Sequence, residues 1–244
     1  MAVQVAVRHR DAAASAPVAR SIQSQGYALL PDVVSSRWLD AARRYASTID
    51  RPDTYEVLLE ALTARDSPIF DDLLSDTRLR DFLESVAVDL HPDCDPRDRH
   101  LDVSVRIVNG PDPSGRPLWF HYDATVVTMV LPIDIPDAGP GNSGELALFP
   151  NRRPFRRFAI TNIVEKMVMQ SNAYRRRVSP EGTTTVIPLA AGSAYVFSGY
   201  RSYHATMPCP AGTRRVTILL HYKDAHSGSR ALLGAKAIYH RLLG

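Results

Sequence analysis

Cysteine is nearly missing from this 244-residue chain: Cys94 and Cys209 are the only two. Two thiols cannot form the disulfide framework of a small secreted scaffold. Lysine is almost as scarce, with only Lys166, Lys223 and Lys236, so arginine supplies most of the positive charge. The net charge of +3 is too small to imply a nucleic-acid partner by itself. No apolar run is long and uncharged enough to span a bilayer, and the first ten residues lack the apolar centre of a signal peptide. The expectation is a cytoplasmic protein with neither a membrane nor a nucleic-acid partner. Internal repeats, heptads and low-complexity tracts are absent too. What remains is ordinary globular material, 45% hydrophobic and 23% charged, enough for one core with a helical extension.

The pattern changes character along the chain. Residues 1–18 are rich in Ala and Arg and are expected to fray. Gly26-Tyr27-Ala28-Leu29-Leu30-Pro31 predicts a short strand. A helix follows, capped by Ser35 or Ser36, with Trp38, Leu39, Ala42 and Tyr45 on one face. Helical spacing recurs over 54–64 (Leu58, Leu59, Leu62) and over 67–89 (Leu73, Leu74, Leu79, Phe82, Leu83). After Asp95 the period shortens. Residues 101–108 alternate, 118–133 are rich in Val and Thr, and further strands are predicted at 145–149, 184–188, 194–197 and 215–222. A helical insertion is expected over about 161–176 and a closing helix over 228–243. Many short strands separated by Pro/Gly turns predict a mainly β protein with flanking helices: a jelly roll, or double-stranded β-helix, with an N-terminal helical layer. The expected organisation is a single domain, 1–244, with helical support over 19–95, the jelly-roll core over 96–225 and a C-terminal helix over 226–244.

Within the β region, His121 and Asp123 stand in Trp119-Phe120-His121-Tyr122-Asp123, and His204 stands in Tyr203-His204, 81 residues beyond Asp123. Two imidazoles and one carboxylate form the facial set that holds non-haem Fe(II) while leaving coordination positions open. In a strand, residues i and i+2 share a face, so His121 and Asp123 can reach one ion while Tyr122 points away. His221, His100 and His91 are weaker candidates. His221 lies inside a strand, where support of the ligands or packing fits it better.

The order of features downstream of the His-x-Asp pair is also informative. Gly144-Glu145-Leu146-Ala147-Leu148-Phe149-Pro150 comes next, then Gly192-Ser193-Ala194-Tyr195-Val196-Phe197, then His204, then Arg214-Arg215 opening the run Val216 to Tyr222. This succession resembles the Fe(II)/2-oxoglutarate-dependent dioxygenases, most closely the phytanoyl-CoA dioxygenase group, with prolyl 4-hydroxylases as more distant relatives. The resemblance spans residues 26–222, is densest over 119–222, and includes the Gly-Tyr-apolar-apolar-Pro opening before the first long helix.

The resemblance implies an enzyme using Fe(II), 2-oxoglutarate and O2, with His121, Asp123 and His204 as metal ligands and catalytic centre. The 2-oxoglutarate would be decarboxylated to succinate as a C–H bond of a small molecule, such as an amino acid or natural-product intermediate, is oxidised. Its distal carboxylate needs a buried cation, for which the planar arginine fork is suited. Arg214 and Arg215 are both candidates and must point to opposite faces of their strand. Arg214 has the spacing from His204 seen in prolyl 4-hydroxylases. Arg215, with Thr217 on its own face, matches the phytanoyl-CoA pattern better and is the favoured anchor. The carboxylate at 123 favours oxygenation over halogenation. Arg106 could face the barrel mouth and bind an anionic substrate or a 2-oxoglutarate carboxylate, but the favoured expectation is that it points outward into solvent. The arginines at 152, 153, 156 and 157 and those at 175–177 are expected to form solvated basic faces, in preference to a site for a phosphate-bearing partner. Two other readings stay open: a non-catalytic jelly-roll protein that binds a metal or ligand, and a nucleic-acid or protein demethylase of the same superfamily.

Overall fold

The structure, a computed structural model, describes residues 15–113, 118–155 and 184–226. Its elements are α1 (Ser15–Gln25), β1 (Tyr27–Leu30), α2 (Ser36–Ile49), β2 (Glu56–Leu59), α3 (Pro68–Ser75), α4 (Thr77–Leu90), β3 (Leu101–Asn109), β4 (Thr125–Asp134), β5 (Leu146–Phe149), β6 (Thr185–Ile187), β7 (Ala194–Phe197), β8 (Tyr203–Thr206) and β9 (Arg214–Asp224). The strands make two sheets, a six-stranded one in the order β1-β7-β4-β9-β3-β2 and a three-stranded one in the order β6-β5-β8. Every pairing is antiparallel. This is the jelly-roll arrangement the alternating segments predict.

Side-chain parity assigns the two faces of the large sheet. Val103, Val105 and Ile107 of β3, Val127, Met129 and Leu131 of β4, and Val216, Ile218 and Leu220 of β9 join one cluster with Trp38, Phe70, Phe82 and Leu83 of the helices. The alternate residues face the small sheet, where Val130 and Phe197 pack against Leu146, Leu148 and Ile187. The large sheet is therefore covered on both faces, by helices on one side and by the small sheet on the other.

Local chemistry sets the helix limits. Ser35 caps α2 by accepting from the Trp38 amide at 3.2 Å. The helical stretch expected over 67–89 is divided in two. Ser67 caps α3, whose first residue is Pro68, and Asp76 caps α4 through the Leu79 amide at 3.0 Å. A proline is tolerated in the first turn because its missing N–H would have had no helical partner.

One expectation is overturned. Residues 56–59, read as part of a helix over 54–64, form the edge strand β2, paired with β3. Val57 turns toward the helices and is buried, while Leu58 turns to the other face and stays 46% exposed. Helical spacing of Leu58, Leu59 and Leu62 is overridden by the edge that β3 offers. The β1 and β2 strands also carry the large sheet into the region expected to be mainly helical. The start of the stretch expected to fray, 1–14, lies outside the described residues, and Ser15 to Val18 belong to α1. The helices expected over 161–176 and 228–243 lie outside the described residues as well. No helix among the described residues is long and apolar enough to cross a membrane.

Candidate metal centre and its cavity

His204 lies in β8 of the small sheet. His121 meets it in an isolated antiparallel bridge, each amide donating to the other's carbonyl at 2.9 Å. Asp123 is in no strand. Its amide donates to the Gly199 carbonyl at 3.0 Å, and the Thr128 hydroxyl donates to its Oδ2 at 2.5 Å. Gly199 fits because it has no side chain: a Cβ there would stand 2.1 Å from Asp123 Oδ2 and 2.3 Å from Thr128 Oγ1. The three residues converge as expected, but by a bridge and a glycine contact rather than by the regular strand that the His-x-Asp spacing suggests.

The imidazoles are oriented by carbonyls. His121 Nδ1 lies 3.2 Å from the Trp119 carbonyl oxygen, and His204 Nδ1 lies 3.0 Å from that of Ser202. A carbonyl can only accept, so each Nδ1 carries the proton and each Nε2 presents a lone pair. Both Nε2 atoms point at Asp123 Oδ1, each at 3.5 Å, and one donor atom from each residue lies within 4.8 Å of the others. Donors at right angles around one ion stand about 3 Å apart, so the set is close to ligating geometry. Burial, reinforced by His204, pushes the His121 pKa down to about 4 against the pull of Asp123. Its ring is therefore neutral and available as a ligand near pH 7. Burial alone would raise the Asp123 pKa, but His204, His221, His121 and the Thr128 hydroxyl outweigh it and hold the carboxyl well below the usual range. His221 stands behind the ligands, its Nδ1 3.7 Å from Asp123 Oδ2 and 3.4 Å from Thr125 Oγ1.

The triad opens into a cavity of about 470 Å³, which Arg215, Thr217, Leu219 and His221 also line. These four alternate along β9, so the pleat aims them at one space. Arg215 is 3% exposed. Its Nη1 donates to Thr217 Oγ1 at 3.2 Å, its Nε is buried without a hydrogen-bond partner, and no carboxylate among the described residues pairs with it. Burial, and then the nearby Arg106, press its pKa downward, which is the condition of a cation held ready for an anion. Gly144, at φ +67°, lies against this side chain, and a Cβ there would come within 2.3 Å of Arg215 Cδ. Arg214 faces the other way and pairs with Asp50 at 3.1 Å and Asp134 at 2.8 Å.

Arg106 corrects the sequence reading. It does not point into solvent but lines the cavity, paired with Glu56 and donating to Thr206 Oγ1 at 3.0 Å. The signal was the alternation of β3 itself. Ser104 and Arg106 share a face that covers a polar cavity rather than bulk water. Thr128 and Gly199 also shape the site, and nothing in their sequence context marks them. Trp119, 52% exposed, stands at the cavity wall. Tyr122 and Tyr203 pack together with ring centres 5.0 Å apart. The loop 134–143 adds nothing to the cavity wall. It is folded onto Glu145, whose carboxylate accepts from the Gly141 and Ser143 amides.

Fold and site together define a jelly roll with a two-histidine, one-carboxylate centre and a buried arginine facing the same cavity. No protein-family model matches the sequence, and no curated protein matches it. Solved structures share the fold. The non-heme alpha ketoglutarate dependent epimerase SnoN from nogalamycin biosynthesis is 16% identical, over 88% of this chain and 84% of that one, with a TM-score of 0.59. AviO1 from Streptomyces viridochromogenes Tue57 is 18% identical, over 89% and 96%, with a TM-score of 0.58. A Pseudomonas putida prolyl-4-hydroxylase is 13% identical, over 86% and 94%, with a TM-score of 0.55.

Proposed function

We propose that this protein is an Fe(II)- and 2-oxoglutarate-dependent oxygenase that oxidises a C–H bond of a small molecule, with hydroxylation as the outcome. The observation that carries the reading is Arg215: a buried guanidinium without a carboxylate partner among the described residues, facing the cavity that also receives the three candidate ligands. SnoN has been solved with Fe3+, alpha ketoglutarate and nogalamycin RO, which supports the same occupants for a site of this kind. His121, Asp123 and His204 would hold the metal, and Arg215 and Thr217 the distal carboxylate. When bound, iron and 2-oxoglutarate let one O2 divide its atoms between succinate, formed with CO2, and the hydroxylated product. The protein's own part is orientation and exclusion of side reactions. Carbonyl-bound Nδ1 atoms aim the imidazoles, Thr128 and Gly199 fix the carboxylate, and the pleat of β9 fixes the anchor.

Within this class, the Arg215-x-Thr217 pair supports placement beside the phytanoyl-CoA dioxygenase group. We assign the substrate to small molecules such as amino acids or natural-product intermediates, and the setting to cytoplasmic biosynthesis. Two buried free cysteines and a ferrous centre suit reducing conditions.

The test is spectroscopic and then chemical. Anaerobic Fe(II) plus 2-oxoglutarate should give a weak visible charge-transfer band, and admission of air should bleach it with release of succinate. A protein that shows neither is a jelly-roll binding protein and not an oxygenase. The products formed with a turned-over substrate distinguish hydroxylation from the epimerisation or ring closure named for other proteins of this fold.

A further inference from the structure

One arginine of the stretch expected to be a solvated basic face is buried. Arg153 is 7% exposed. Its guanidinium carbon lies 4.0 Å from the centre of the Tyr122 ring and 4.0 Å from the centre of the Tyr200 ring. The Nε donates to the Tyr200 carbonyl. The Arg153 amide donates to the Arg201 carbonyl at 3.2 Å, and Arg201 Nε donates back to the Arg153 carbonyl at 3.3 Å. The side chain is thus held between two aromatic rings and tied to one backbone.

Both rings belong to segments that carry the candidate ligands. Tyr122 lies between His121 and Asp123. Tyr200 follows Gly199, whose carbonyl holds the Asp123 amide and whose missing side chain makes room for the Asp123 carboxylate. Two residues later, the Ser202 carbonyl orients His204. Segments 119–123 and 198–202 lie outside the named strands. The Asp123–Gly199 hydrogen bond and the neighbouring His121–His204 bridge join their backbones, but no continuous ladder fixes the spacing of the side chains they carry. A planar cation attracted to the faces of both rings can do so.

We propose that Arg153 is a positioning residue for the metal centre: by clamping Tyr122 against Tyr200 it sets the spacing of the three ligands, and through that spacing the affinity for a divalent ion. The inference rests on the metal-centre reading above. Lysine cannot replace this arginine, because a point-like ammonium has no plane to lay against two rings at once.

Cobalt(II) binding, followed by its visible absorption on the full chain, provides a readout that does not need turnover. R153K and R153M should each raise the cobalt dissociation constant about tenfold, the usual range for groups that support ligands, with folded circular dichroism preserved. Y122F keeps a ring face and should bind cobalt like the wild type. Y122L should lose the same tenfold, and R153K/Y122L should be no worse than either single variant, because both break one clamp. Folded R153K and R153M with wild-type cobalt affinity would overturn the proposal. Should R153M fail to fold, unchanged affinity in Y122L overturns it equally. Wild-type protein that takes up no cobalt would overturn the metal-centre reading itself, and the clamp with it.

Discussion

Arg215 and Thr217 sit in β9, flanked on both sides by β3 and β4, and the ladders fix every second side chain toward the cavity. His121 and Asp123 sit in a segment with one bridge to His204 and one backbone contact to Gly199. The anchor region therefore takes its precision from regular structure, which tolerates change elsewhere in the strand. The ligand region takes its precision from particular residues: Gly199 for room, Thr128 for a hydrogen bond, Arg153 for spacing. Substitutions near the ligands should act through geometry, and those in β9 should act only when they remove the group that points inward.

The largest effect is expected at the ligand region. Asp123→Ala removes the one charged group of the candidate triad and leaves two imidazoles with an open side, so iron should no longer be held and succinate formation should fall below detection. Circular dichroism should still report a folded protein, since both ladders of β9 remain. Wild-type succinate yield in this variant would remove Asp123 from the metal centre.

The anchor region should respond differently. Arg215→Ala leaves the ligands in place but removes the cation for the distal carboxylate. Stranding a buried charge without its partner costs several kcal/mol. The 2-oxoglutarate concentration for half-maximal succinate formation should rise on the order of a hundredfold or more, while cobalt affinity stays near wild type. An equal loss of cobalt affinity would mean that the two regions are not separable.

The same contrast explains what could be read from the sequence. Period-two alternation made β9 legible and put Arg215 and Thr217 on one face, opposite Arg214; the choice of the Arg215 face as the inward one came from the family resemblance. The candidate ligands, which the structure brings together, were legible too, because imidazole and carboxylate are the chemistry that a ferrous ion needs. Their support was not. Gly199 and Arg153 act across the fold and Thr128 from five residues along the chain, and a glycine, a threonine or an arginine carries no local sign that it will meet a carboxylate or two rings. Arg106 was misread because a polar residue alternating with Val105 and Ile107 was taken to face water. In a sheet covered on both sides, the polar face can instead line a cavity. The strand β2 was misread for a related reason: three leucines at helical spacing say nothing about the free edge of β3 that claims their segment.

The smallest effect is expected one residue from the anchor, and it is the sharpest check on strand register. Arg214→Ala breaks the pairs with Asp50 and Asp134 on the face opposite the cavity. Partly exposed ion pairs each contribute about 1 kcal/mol or less, so the thermal midpoint should fall by only a few degrees. Asp50 also accepts from the Asn109 amide group at 2.9 Å, which limits the strain left behind. The 2-oxoglutarate requirement should not move, because adjacent residues of a strand face opposite ways. A rise of tenfold or more in that requirement for Arg214→Ala, with Arg215→Ala near normal, would shift β9 by one residue and exchange the roles of the two arginines.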